Sequence, residues 1–133
     1  MRRQLIQAGK KMVLTLKNAR IYTCGKFKRG NVIIKDGVIA EISDREQGQV
    51  VDAGGRLCVA GYIDIHTHGG WGKDCMETTK DAIDTISRYH LYTGTTSYVP
   101  TTMTASVEDI NKAVANIREY KSKYARILGI HLE

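Results

Sequence analysis

The sequence predicts an α/β fold in which a β-rich segment precedes strands that alternate with helices. Three observations predict it. Up to about Val59 the chain is built of short β-type runs broken by Asp-Gly and Gly-Gly turn signals. After Arg56 the pattern changes to strand, helix, strand, helix, strand. Each helical segment is introduced by a capping-box pattern, Thr78 with Asp81 and Ser106 with Asp109.

Residues 1–11 carry little periodicity and read as an N-terminal extension, and Met12 opens the first strand-like run. Residues 12–56 form the β-rich part, with runs at Val13 to Ile21, Asn31 to Lys35, Val38 to Ser43 and Val50-Val51. Asp36-Gly37 supplies the positive φ angles of a type I′ turn, so Asn31–Lys35 is expected to pair antiparallel with Val38–Ile42. Residues 57–133 form the α/β part, opened by the apolar run Leu57 to Ile65. A helix over 79–92 follows, with Ile83, Ile86 and Tyr89-His90 at helical spacing and Gly94 as its stop. Thr96 to Val99 is a buried strand closed by Pro100, which cannot donate within a sheet. Val107, Ile110, Val114, Ile117 and Tyr120 form the sheet-facing stripe of a second helix, and Arg126 to Leu132 is the third strand. Three parallel strands and two helices leave sheet edges that need partners. A closed eight-stranded α/β barrel takes about 250 residues, so this chain of 133 residues reads as the first part of a larger domain.

With 42% apolar and 26% charged residues, the composition excludes a disordered chain. The net charge of +6 is uneven: residues 1–35 hold ten of the twenty cations and none of the fourteen acids. Those cations are spaced among β-type residues without aromatic interleaving, so a solvated charged face is preferred over a nucleic-acid interface. The apolar run Met12 to Leu16 is too short for a signal peptide and is closed by Lys17. No stretch approaches the roughly 18 apolar residues of a spanning helix. Three cysteines without a C-x-x-C pair fit reduced thiols in a cytoplasm.

The chemistry concentrates where Tyr62–Thr67 runs into His68-Gly69-Gly70. Side chains alternate along a strand, so His66 and His68 share a face while Ile65 and Thr67 point the other way. Two imidazoles at a strand's carboxyl end suit a divalent ion, although the pair alone also fits hydrogen-bonded polar positions. On the third strand the same parity puts Ile127, Gly129, His131 and Glu133 on one face and Leu128, Ile130 and Leu132 on a helix-covered face. Carboxyl ends of parallel strands carry the sites of α/β sheets, so His66, His68 and Glu133 can converge on one ion. Histidine and carboxylate donors suit zinc, or iron and manganese. His131 is read as an interior histidine one layer below. Asp74 is expected to shape the loop, Trp71 either to line the pocket or to pack, and Cys75 not to act as a nucleophile.

The run Ala60-Gly61-Tyr62-Ile63-Asp64-Ile65-His66-Thr67-His68-Gly69 resembles the opening motif of the amidohydrolase superfamily. Gly69–Asp74, Gly94–Thr102 and Gly129-Ile130-His131-Leu132-Glu133 resemble its N-acetylglucosamine-6-phosphate deacetylases. Ala60 stands where the superfamily usually has proline. The resemblance implies a (β/α)8 metal-dependent hydrolase barrel preceded by a small β-sandwich-type domain. It implies hydrolysis of an amide, releasing acetate from a phosphorylated amino sugar, with one or two divalent metal ions (zinc, iron or manganese) held by His66, His68 and Glu133. Further histidines and a catalytic aspartate would lie beyond Glu133, so no catalytic residue is assigned within the chain, substrate-binding residues are unknown, and the chain by itself is expected to be inactive. A cytoplasmic homo-oligomer, a dimer when intact, without nucleic-acid or membrane partners, completes the expectation. The alternatives are another amidohydrolase acting on a cyclic amide, as dihydroorotases and hydantoinases do, or a non-catalytic metal-binding or assembly fragment.

Overall fold

The computed structural model describes residues 12–133; the extension expected over residues 1–11 lies outside the described residues. The chain divides into two compact units, one ending at Ala60 and one spanning Gly61–Glu133.

The first unit is a mixed five-stranded sheet. β1 (Val13–Thr23) pairs antiparallel with β2 (Lys26–Lys35) and parallel with both β4 (Gln49–Asp52) and β5 (Leu57–Cys58), while β2 carries β3 (Val38–Ser43) on its other side. The β2–β3 turn forms as the Asp-Gly pair dictates, with φ of 51° at Asp36 and 79° at Gly37. Lys35 pairs with Val38 and Ile34 with Ile39, and a bulge at Ile33/Ile34 shifts the rest of the register. The preceding hairpin is longer than the sequence suggests. Cys24 and Gly25, at φ 49° and 77°, make a second turn of the same kind and extend pairing down to Thr23 and Lys26. There Tyr22 faces Phe27 with ring centroids 5.0 Å apart, and the Arg20 guanidinium lies 5.6 Å from the Phe27 centroid. One cation of this region, Arg20, therefore meets an aromatic ring across the strands, an arrangement that linear spacing conceals.

The run Leu57 to Ile65 is not one strand. Arg20 N–H donates to Arg56 O at 2.9 Å and draws Leu57-Cys58 onto β1, and a new strand begins only at Tyr62. Ala19, Ile21, Val32 and Ala53 form the first unit's core, with Leu16, Ile34, Ile42 and Cys58 packed against it.

The second unit contains β6 (Tyr62–Thr67), a short hairpin of β7 (Gly69–Gly70) and β8 (Lys73–Asp74), α1 (Lys80–Tyr92), β9 (Thr95–Pro100), α2 (Val107–Glu119) and β10 (Arg126–Ile127). The sheet order is β10-β9-β6, all parallel. The N-cap of α1 is Thr79 and not Thr78: Thr79 Oγ1 accepts from Ala82 N–H at 3.2 Å. Ser106 caps α2 as expected, accepting from Asp109 N–H at 3.1 Å and donating to Asp109 Oδ2 at 2.7 Å. The α2 stripe forms from its second turn on: Ile117 is buried beside Ala113, Ile110, Val114 and Tyr120 are partly buried, and Val107, at the helix start, is 76% exposed. Cys75, Ile83, Ile86, Tyr98, Ile117 and Ala125 make the core, with Tyr120, Ile127 and Ile130 against it.

The expected third strand over Arg126–Leu132 is corrected: its ladder covers only Arg126 and Ile127. Ile127 and Ile130 both pack on the core, while Leu128 and Leu132 are half exposed. Strict alternation is lost at Gly129, which has no side chain to hold a register against the sheet. Pairing returns at the end, where His131 N–H donates to Pro100 O and Thr102 N–H donates to His131 O, each at 3.0 Å. No helix among the described residues is long and apolar enough to cross a membrane.

Candidate metal centre

β6 delivers its carboxyl end beside Pro100–Thr102, and two threonines fasten it there. Thr101 N–H donates to Thr67 O at 2.8 Å, and Thr67 N–H donates to Thr101 Oγ1 at 3.2 Å. Thr102 Oγ1 in turn accepts from Glu133 N–H at 3.3 Å, which brings the last residue to the same end of the sheet. Both threonines are fully buried. After His68 the backbone folds back as the β7–β8 hairpin, a close approach only glycine permits, since a Cβ on Gly69 would lie 1.9 Å from Lys73 O. Trp71 and Gly72 make its turn at φ 50° and 73°.

The three side chains expected to converge do so. His68 Nε2 lies 2.9 Å from Glu133 Oε2, His66 Nε2 lies 3.6 Å from the same oxygen, and the two imidazole Nε2 atoms are 3.3 Å apart. One ligand atom from each residue falls within 4.8 Å of the others, the single such grouping among the described residues. The parity argument that predicted Glu133's position fails at Leu128–Ile130. Its end point holds because His131 and Thr102 restore the pairing.

His131 is not the interior histidine expected: it is exposed, it does not join the grouping, and its ring meets His66 edge-on at 4.8 Å. Trp71 packs on Tyr89 and Tyr92, at centroid distances of 5.8 and 5.5 Å. Asp74 shapes the loop by accepting from Met76 N–H at 2.7 Å. Cys75 is fully buried, its thiol donates to Thr67 O at 3.5 Å, and burial pushes its pKa up to about 11, a poor setting for a nucleophile.

Asp64 and His90 carry no assignment in the sequence reading, yet they stand directly behind the pair. Asp64 Oδ1 accepts from His66 N–H at 3.1 Å, and Asp64 Oδ2 lies 4.0 Å from His90 Nδ1. His90 is buried, stacked on Tyr98 at 4.4 Å, and desolvation holds its pKa below the ordinary 6.5. The signal that could have found it is its place on α1's buried stripe with Ile83 and Ile86, where a polar ring needs a reason.

The donor set fits a divalent ion of borderline softness: two imidazoles and one carboxylate, each able to turn a lone pair inward. His68 Nδ1 is buried without a partner among the described residues.

No family model matches the chain. Among curated proteins it is 34% identical over 132 residues to N-acetylglucosamine-6-phosphate deacetylase of Bacillus subtilis, an alignment covering 90% of this chain and 33% of that protein. It is 35% identical over 103 residues to N-acetylgalactosamine-6-phosphate deacetylase of Escherichia coli O157:H7, covering 75% of this chain and 27% of the relative. Among solved structures, N-acetylglucosamine-6-phosphate deacetylase from Pasteurella multocida superposes with a TM-score of 0.76 at 27% identity, covering 91% of this chain and 34% of the other. The chain thus spans about a third of the length of the relatives it matches. In sequence and in fold, it corresponds to the N-terminal portion of the N-acetylglucosamine-6-phosphate deacetylases of the amidohydrolase superfamily.

Proposed function

We propose that this chain is the metal-binding N-terminal part of a deacetylase that removes acetate from N-acetylglucosamine-6-phosphate, leaving glucosamine-6-phosphate. The observation that carries the reading is the convergence of His66, His68 and Glu133 at the carboxyl ends of parallel strands, in a chain similar to enzymes named for that reaction. In this proposal Gly61–Glu133 opens a (β/α)8 barrel, the sheet ending at Cys58 is part of a small β-sandwich-type domain, and the remaining strands belong to a longer polypeptide. The intact protein is a cytoplasmic homo-oligomer, a dimer.

His66, His68 and Glu133 would hold one or two divalent ions: zinc, iron or manganese. When bound, such an ion supplies a Lewis acid that polarises the acetyl carbonyl and lowers the pKa of water. The chain's own residues hold and aim. Glu133 offers the one anionic donor and is fixed from behind by Thr102. Thr101 keeps the end of β6 against β9, so that the two imidazoles face the same space. Cys75, buried and protonated, adds shape and no reactivity. The proton acceptor and the groups that meet the dianionic sugar phosphate are assigned to the longer polypeptide, so the 133-residue chain alone is expected to show no turnover.

A second reading has a specific observation in its favour: a relative at 35% identity is named for the galactosamine epimer. The test is to express the intact protein and follow acetate release from both sugar phosphates, with and without a chelator. Release that favours the glucosamine substrate and collapses on metal removal supports the proposal. Full activity after exhaustive metal removal, checked by elemental analysis, overturns its mechanism.

A further inference from the structure

The β6–β9 ladder is irregular at the site. Asp64 pairs with Tyr98 and Thr67 with Pro100, so Ile65 and His66 together stand opposite Val99 alone. One extra residue on one strand is a β-bulge, a feature that leaves an N–H off the ladder and re-aims the side chains beside it. The N–H in question is His66's, and it does not go unpaired: Asp64 Oδ1 accepts it at 3.1 Å. The other carboxylate oxygen points to the helix layer, where it lies 4.0 Å from Nδ1 of the buried His90. His90 is itself fixed by stacking on Tyr98, whose hydroxyl lies 2.7 Å from Ser87 Oγ.

We infer that Asp64 is a positioning residue: its carboxylate clamps the bulge that turns the His66 and His68 imidazoles toward Glu133. The inference rests on the metal reading above. Its logic is local. Without the acceptor, the bulged N–H seeks a ladder partner or water, and a register slip of one residue would send His66 to the opposite face. Charge on Asp64 is not what the clamp needs; an acceptor oxygen at that distance is. Asparagine should therefore substitute for it and alanine should not.

The experiment has two independent readouts on the 133-residue chain. Amide hydrogen exchange at His66, measured by NMR without added metal, reads the clamp. Cobalt(II) titration, followed by its visible absorption, reads the presentation of the imidazoles. Asp64→Ala is expected to speed exchange at His66 by about tenfold or more and to weaken cobalt binding by roughly 10- to 100-fold. Asp64→Asn is expected to leave both within about threefold of the unsubstituted chain. Unchanged exchange and affinity in Asp64→Ala overturn the clamp, and so does an Asn variant as impaired as the Ala variant. If Asp64→Ala fails to fold, the Asn variant still decides, because loss of cobalt binding in a folded Asn variant contradicts an acceptor-only role. If the unsubstituted chain binds no cobalt while Asp64→Ala still exchanges faster at His66, the metal reading falls and the clamp stands.

Discussion

The two units surround their strand bulges with polar groups in different ways. In the first, irregularities are closed locally. The bulge in β1 puts Asn18 at φ 56°, and its N–H donates to Asn31 Oδ1 at 3.0 Å while its amide donates to both oxygens of Asp52. Asn31 in turn donates to the carbonyls of Asp44 and Arg45. In the second unit the bulge in β6 is closed by Asp64, but the groups around it are left open. His68 Nδ1 and His90 Nε2 are the buried side-chain polar atoms without partners among the described residues, and two imidazoles crowd one carboxylate. The difference separates a structural bulge, whose polar groups satisfy each other, from one whose groups are poised for something else.

That contrast can be broken from either side. The largest effect is expected at Asn31. Asn31→Ala strips a partner from one backbone N–H and two carbonyls and should cost about 2 kcal/mol, measured by urea unfolding, with cobalt binding by the second unit unchanged. A comparable loss of metal affinity would show that the two bulges are not separable.

A smaller effect is expected from His90. Its folded pKa lies below the ordinary 6.5 because burial penalises the charged ring, so the unfolded chain binds the proton more tightly. Stability is therefore full above pH 6.5 and is lost as pH falls from there through the folded value. Urea stability measured from pH 8 to 5 should decline for the unsubstituted chain, and His90→Gln should remove that contribution. An identical pH profile in the variant would contradict a neutral buried imidazole.

The smallest effect leaves stability untouched. Cys24 is exposed and Cys75 is buried with a raised pKa, so an aromatic disulfide reagent at pH 8 should label Cys24 in the folded chain and reach Cys75 only on unfolding. Fast labelling of Cys75, located by mass spectrometry, would mean that the layer under β6 opens readily.

Legibility in the sequence followed the range of the forces involved. Asp36-Gly37 and Ser106 with Asp109 act within four residues, and the structure forms the turn and the cap they encode. The H-x-H pair was likewise readable because strand alternation is local. The path of residues 126–132 was not, since Ile127 and Ile130 are placed by the core across from them and Gly129 imposes no preference. The Leu57–Ile65 run misled for the same reason: a parallel pairing to β1, 37 positions away at Arg20 and Leu57, divides it. Asp64 and His90 stayed hidden because their meaning lies in a bulge and a helix face that only the assembled sheet brings together.

The central claim is that His66, His68 and Glu133 form a divalent-metal site and not a chance cluster of polar residues. Calorimetric titration of the 133-residue chain with zinc, beside the His66→Ala/His68→Ala double variant and with far-UV circular dichroism on both, tests it most directly. The account predicts saturable zinc binding by the unsubstituted chain that the double variant loses by about 100-fold or more, with both spectra alike. Equal zinc stoichiometry and affinity in the two folded chains would contradict it.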